Sequence, residues 1–210
     1  LTDYLTEQEQ IQQIKTWLKQ YGPTIVLGIL LALIMTTGWR YWQNYHNKML
    51  MHASGIYDEM LALRAQNNAS GASVQAQKLL TRYPKTPYAD IASLLLARDA
   101  AVKKNYPDAI QKLTHIVDEC KNPSLRQIAR IRIARILLTE KKPDAALNLL
   151  KELDDNNYMG LVDEVRGDAY VIKKDFAAAR KAYLIALQEL PNAEVTRPML
   201  EMKYTALAAA

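Results

Sequence analysis

Between Lys19 and Arg40 the chain runs through residues 20–39, QYGPTIVLGILLALIMTTGW, without one charged side chain. At about 1.5 Å of rise per helical residue, that stretch reaches roughly 30 Å, the thickness of a bilayer's hydrocarbon core. Its flanks agree. Trp17 and Tyr21 stand at one end, and Trp39, Arg40, Tyr41, Trp42 and Tyr45 at the other, where amphipathic rings favour the headgroup region. A chain of 210 residues offers little core to surround a helix that is apolar on every face. A cleaved signal peptide is the rival reading. The apolar run is too long for a typical signal core, and it closes on Thr36-Thr37-Gly38-Trp39-Arg40 rather than on a small-x-small cleavage site. The sequence therefore predicts a retained transmembrane helix over residues 21–42, a short segment 1–20 before it and a domain over 43–210. Leu1 is not an initiator methionine, so residues upstream of it are expected.

Ahead of the span, Leu5, Ile11, Ile14, Trp17, Leu18 and Tyr21 recur at three- and four-residue steps, with Glu7, Gln8, Glu9, Gln12 and Gln13 between them. That spacing predicts an amphipathic helix, lying in the membrane interface or docked on a partner. Gly22-Pro23 is expected to punctuate the chain, with Pro23 in the first turn of the spanning helix. Within the span, Thr24, Gly28, Ala32 and Thr36 fall on one stripe. Small residues let another helix approach closely in lipid, which makes this stripe a candidate contact face for a membrane partner or a second copy. Small residues are also common in spanning helices at large, and the stripe alone does not separate the two readings. Charge leaves orientation open, because Lys15 and Lys19 on one side balance Arg40 and Lys48 on the other.

The roughly 170 residues after the anchor hold one sizeable domain and its core. Net charge is +5, from 27 basic and 22 acidic residues interspersed along the chain, so nucleic acid is not implied as a partner. The single Cys120 excludes an internal disulfide and a multi-cysteine metal site. Residues 41–66 read as a helical continuation of the anchor. Beyond them, prolines and polar clusters cut the chain at regular intervals, predicting helices of roughly 12 to 18 residues joined by tight turns.

Self-similarity is the strongest signal in this part. Tyr106-Pro107-Asp108-Ala109-Ile110, Pro143-Asp144-Ala145-Ala146-Leu147 and Phe176-Ala177-Ala178-Ala179-Arg180 each follow a Lys-containing turn, and Ala109, Ala146 and Ala179 lie 37 and 33 residues apart. The tetratricopeptide period is about 34 residues. In the last copy, Gly167 and Tyr170 are followed by Ala179, Tyr183, Ala186 and Pro191 in the small, aromatic, small and proline places. Asp163 and Arg166 stand where tryptophan and leucine are usual, so the repeat is degenerate. Ala134 and Ala97 take corresponding places in the copies before it, and residues 57–66 with 74–83 form a weaker leading copy. Alanine or glycine at the crossing lets the helices of a hairpin approach, while the large residue four on fills the groove beside it. A final helix over residues 194–207 is expected to cap the stack. The predicted fold class is all-α: one N-terminal transmembrane helix followed by a tetratricopeptide-repeat-like solenoid of helical hairpins.

Little points to catalysis. His46, His52 and His115 are too scattered for a metal cluster, and no phosphate loop or nucleophile elbow occurs. No catalytic, cofactor or metal residue is assigned, and no enzyme activity is expected. Asp154-Asp155 and Asp118-Glu119 read as solvated helix ends. Arg126, Arg130, Arg132 and Arg135 share one helix, with Arg126 and Arg130 on one side and the other two elsewhere, and read as a solvated, salt-bridged face.

An N-terminal amphipathic helix, Gly22, the run Gly38-Trp39-Arg40-Tyr41-Trp42, the segment Ile131-Arg132-Ile133-Ala134-Arg135 and LVDEVRGDA over residues 161–169 together resemble the bacterial YfgM family along essentially the whole chain. The resemblance implies a single-pass inner-membrane protein with a cytoplasmic N-terminus and a periplasmic tetratricopeptide-like domain. It implies association with the SecYEG translocon and with a PpiD-like membrane-anchored periplasmic chaperone, and help in passing translocated client chains onward. The lipid bilayer is a further partner and nucleic acid is not. The competing expectation is a regulatory adaptor that sequesters a signalling protein through its cytoplasmic N-terminal segment.

Overall fold

The computed structural model describes residues 7–190 and 196–207. The chain divides into two compact units, Leu1–His52 and Ala53–Ala210.

From Glu7 onward the first unit is one long helix, α1 (Glu7–Ala65), whose last turns lie in the second unit. Its most apolar window has a mean hydropathy of 1.7 and none of it is buried. This is a helix long and apolar enough to cross a membrane. Leu27, Leu30, Leu33 and Ile34 all stand exposed, an arrangement that water penalises and hydrocarbon does not. The expected break at Gly22-Pro23 is absent, because α1 runs unbroken with Pro23 inside it. Proline there withholds one N–H from the ladder, a loss that spanning helices tolerate better than helices in water. Thr36 and Thr37 turn their hydroxyls inward to the carbonyls of Ala32 and Leu33, at 2.9 and 2.6 Å, so neither leaves a donor bare on the apolar surface.

The second unit is a stack of helical hairpins. The end of α1 pairs with α2 (Ala69–Arg82), α3 (Pro87–Val102) with α4 (Tyr106–Glu119), α5 (Pro123–Thr139) with α6 (Pro143–Leu149), and α7 (Met159–Ile172) with α8 (Phe176–Glu189); α9 (Thr196–Ala206) packs on α8. Apolar residues bury in four successive clusters, each at one junction of the stack. Each hairpin therefore depends mainly on its neighbours, as in other repeat proteins.

The four hairpins share one turn. Asn67, Lys104, Lys141 and Lys174 are the non-glycine residues with positive φ among the described residues, between 58° and 63°. They recur at steps of 37, 37 and 33 residues. At each, two N–H groups return to the preceding helix: Lys104 to the Ala101 carbonyl and Asn105 to that of Ala100, both at 2.9 Å, with the same pattern at the other three. These are Schellman endings, which satisfy the last carbonyls of one helix. The next residue then caps the following helix. Asn68, Asn105 and Asp175 accept from the N–H three residues on, whereas Lys142 makes no side-chain cap. Lys142→Asp is therefore expected to raise stability by about 1 kcal/mol, read as a higher midpoint in urea denaturation.

Lys142 opens the shortest helix of the stack. α6 has 7 residues against the 14 of α2, α4 and α8, below the 12 to 18 expected. Charged groups hold the segment between α6 and α7. Asp154 accepts from Arg126 Nε at 2.8 Å and Arg130 Nε at 2.6 Å, and its own N–H donates to Gln127 Oε1 at 2.7 Å. Arg166 pairs with Asp163 at 2.8 Å and donates to the Leu150 carbonyl at 2.6 Å. The two departures from the repeat pattern, Asp163 and Arg166, thus form one pair that satisfies the carbonyl at the end of the shortened helix.

Candidate functional site

No group of three or more His, Cys, Asp or Glu side chains comes together as a metal site among the described residues. The surface of interest is a cleft of about 580 Å³ between α5, α7 and α9. Leu138, Ile172 and Met199 give it apolar walls, and Arg135, Glu164, Asp168 and Lys203 give it charge.

Helix periodicity builds this charged line. Glu164 and Asp168 lie one turn apart on α7, so both face the same neighbours. The Lys203 ammonium, from α9, sits 2.8 Å from Glu164 Oε1 and 2.8 and 2.9 Å from the two oxygens of Asp168. Arg135 Nη2 reaches Glu164 Oε2 at 3.2 Å, and the Tyr183 hydroxyl donates to Asp168 Oδ1 at 2.7 Å. Burial pushes the Lys203 ammonium down, but the two carboxylates outweigh it and its pKa lies above the ordinary lysine value. Burial, together with Asp168, pushes the Tyr183 phenol well above its own. The network joins residues of α5, α7, α8 and α9 through charge-assisted hydrogen bonds. It pins α9 to α7 and leaves apolar walls beside paired charge.

The repeat residues are spread through the clusters of the stack. Ala97, Ala109, Ala134, Ala146, Ala179 and Ala186 are buried at the helix crossings, with Gly167 and Tyr183, and Tyr170 packs partly buried beside Tyr183. A Cβ on Gly167 would meet Tyr183 Cε1 at 2.3 Å, so hydrogen is the largest substituent that fits. Pro191 lies outside the described residues.

A family model described as a tetratricopeptide repeat-like domain matches residues 15–209. The chain belongs to this tetratricopeptide repeat-like family. Among curated relatives in the same family, the chain is similar to an ancillary SecYEG translocon subunit of Haemophilus influenzae, 26% identical over 97% of this chain and 98% of the relative. It is similar to proteins of the same name from Escherichia coli, at 26% over 95% and 94% of the two chains, and from Neisseria gonorrhoeae, at 28% over 97% and 98%. The resemblance to the YfgM family seen in the sequence thus extends through nearly the full length of each. The tetratricopeptide-like fold has a solved counterpart in the MamA RS-1 ArsTM double mutant, with a TM-score of 0.55, 13% identity, and coverage of 75% of this chain and 94% of that one.

The other sequence-derived residues lie on α1. Thr24, Gly28, Ala32 and Thr36 are exposed along it, and a Cβ on Gly28 would meet nothing within 4 Å. Trp17 and Tyr21 contact each other with ring centroids 5.7 Å apart, Trp39 and Trp42 at 5.4 Å, and Trp42 stacks on His46 at 5.7 Å; Arg40 and Tyr41 are exposed beside them. Sequence reasoning passed over Glu164, Asp168 and Lys203, whose pairing spans 35 to 39 residues and leaves no local pattern. Asp154, read as part of a solvated helix end, is instead 13% exposed and doubly paired with arginine.

Proposed function

We propose that the chain is a membrane-anchored protein-interaction scaffold at the Sec translocon, which helps hand translocated chains to periplasmic chaperones. The observation that carries this is full-length similarity to proteins named ancillary SecYEG translocon subunit, joined to an exposed apolar helix and a hairpin stack in one chain. Residues 1–20 lie in the cytoplasm, 21–42 cross the inner membrane once, and 43–210 lie in the periplasm, where the cleft of α5, α7 and α9 meets extended chains. A PpiD-like chaperone is the neighbour to which clients pass. The stripe of Thr24, Gly28, Ala32 and Thr36 is the face that meets the translocon within the bilayer, because small side chains permit close helix approach. A stack of hairpins supplies the extended surface that such a role needs.

A photo-crosslinking residue at Met199, exposed at the cleft rim, tests the client role. During arrested secretion of a reporter it is expected to crosslink to the emerging chain, and the same probe at exposed Val74 on α2 is not. Equal crosslinking from both positions, or none from Met199, contradicts a handing-on role for this cleft.

A further inference from the structure

The four arginines of α5 fall into two pairs with different surroundings. Arg126 and Arg130 close on Asp154, and Arg130 also on Glu152, at 2.6 to 2.8 Å. Among the described residues, Arg132 has no such partner. It lies partly buried, reaches across to α3, and donates from Nη1 to the Leu94 carbonyl at 3.2 Å. One turn further along α3 stands Arg98, exposed and without an ion pair among the described residues. The acids nearby are engaged elsewhere: Asp99 is held by both terminal nitrogens of Arg64, at 2.6 and 2.9 Å, and Glu164 by Arg135 and Lys203. Partial burial holds the Arg132 guanidinium below its ordinary pKa, with the charges of Arg98 and Arg135 adding to the effect.

Holding a guanidinium partly out of water between two like charges is costly, and a carboxylate from outside the chain relieves that cost. Arg135 belongs to this cluster and to the cleft at once, so the basic patch runs directly into the apolar walls of Leu138, Ile172 and Met199. We propose that Arg98, Arg132 and Arg135 form a docking site for an acidic peptide segment of a partner protein, its carboxylates on the guanidiniums and its apolar side chains in the cleft. A planar guanidinium takes a carboxylate through two parallel hydrogen bonds, and the neighbouring apolar walls favour a peptide over a bare anion. The proposal deepens the scaffold reading by giving the chemistry of what the helical unit takes. It rests on that unit binding protein and not on the identity of the translocon.

The test is fluorescence anisotropy with the full chain in nanodiscs of zwitterionic lipid. The probes are labelled ten-residue peptides alternating Glu and Leu, Gln and Leu, or Lys and Leu. The Glu/Leu peptide is expected to bind at least about tenfold more tightly than the other two, with affinity that falls as salt rises. Arg98→Glu, at an exposed position that makes no internal side-chain bond among the described residues, is expected to weaken Glu/Leu binding about tenfold with no loss of melting temperature. Arg132→Lys, which keeps the charge but loses the planar fork, is expected to weaken it less. Equal binding of all three peptides, no binding of any, or indifference to Arg98→Glu overturns the proposal. Displacement of the peptide by an equal concentration of inorganic phosphate or phosphatidylglycerol vesicles also overturns it, in favour of a phosphate or lipid site. Peptide binding without recovery of translocon subunits would leave this site standing and remove the scaffold reading alone.

Discussion

Gly167→Val is expected to unfold the last hairpin of the stack well before the rest. The ideal Cβ at this position lies 2.3, 2.4 and 2.9 Å from three carbons of the Tyr183 ring. That ring is 2% exposed and tied through its hydroxyl to Asp168 at 2.7 Å, so it has little room to retreat. Overpacking of this kind costs about 1–3 kcal/mol for modest insertions. Alanine recovers about 1 kcal/mol through helix propensity, so Gly167→Ala loses a net of up to about 2 kcal/mol. Valine brings two more carbons and a stiff χ1, and about 3 kcal/mol or more is expected. Urea denaturation followed by circular dichroism measures both losses. A double variant, Gly167→Ala with Tyr183→Leu, separates the cause: if the ring is the obstacle, the two losses combine to less than their sum.

Asp154→Ala is expected to be as damaging, for an electrostatic reason. The Asp154 carboxylate and Arg130 are 13% and 12% exposed, and Arg126 closes the triad. Removing the carboxylate leaves Arg130, largely desolvated, with only the exposed Glu152, and Arg126 with only the Cys120 carbonyl, a defect that costs about 3 kcal/mol. It also frees the segment after α6 that Asp154 ties to α5. Burial by itself pushes the Asp154 carboxyl up, but Arg130 and Arg126 outweigh it and hold the pKa below the ordinary value. The hydrogen bond from Arg64 does the same for Asp99. A carboxyl whose folded pKa is depressed lends stability above its unfolded pKa, about 3.9, and that stability disappears as pH falls through the folded value. The melting temperature is therefore expected to fall steeply below about pH 4 in the native chain. In Asp154→Ala the fall is shallower and starts from a lower plateau.

The fold was legible wherever it depends on local pattern. Charge-free length marked α1, and alanine spacing with Lys-containing turns marked the hairpins, because a repeat imposes the same crossing and the same turn each time. Lys104, Lys141 and Lys174 all adopt the left-handed conformation at corresponding places, although their residue type gives no hint of it. The hidden features depend on contacts far apart in sequence. The segment after the short α6 is held by Asp154, Arg126 and Arg130, which look like ordinary surface charges until they meet 24 to 28 residues apart. The line of Glu164, Asp168 and Lys203 was hidden for the same reason. Pro23 misled in the opposite direction: a residue that usually ends or begins helices sits inside α1. Arg126 and Arg130 were legible as a pair apart from Arg132 and Arg135, since helical geometry alone separates them, but that Arg135 meets Glu164 while Arg132 meets no acid among the described residues was not.

The proposed role at the translocon depends on the anchor as well as on the helical unit. The measurement that tests it most directly is purification of the tagged, intact chain from membranes in mild detergent, with mass spectrometry of the proteins that accompany it. A second chain, with residues 21–42 replaced by an unrelated spanning helix, is purified in parallel. SecYEG subunits and a PpiD-like chaperone are expected with the native chain, and SecYEG is expected to drop out with the foreign anchor. Absence of both partners from the native sample, with the chain itself recovered from the membrane, contradicts the account.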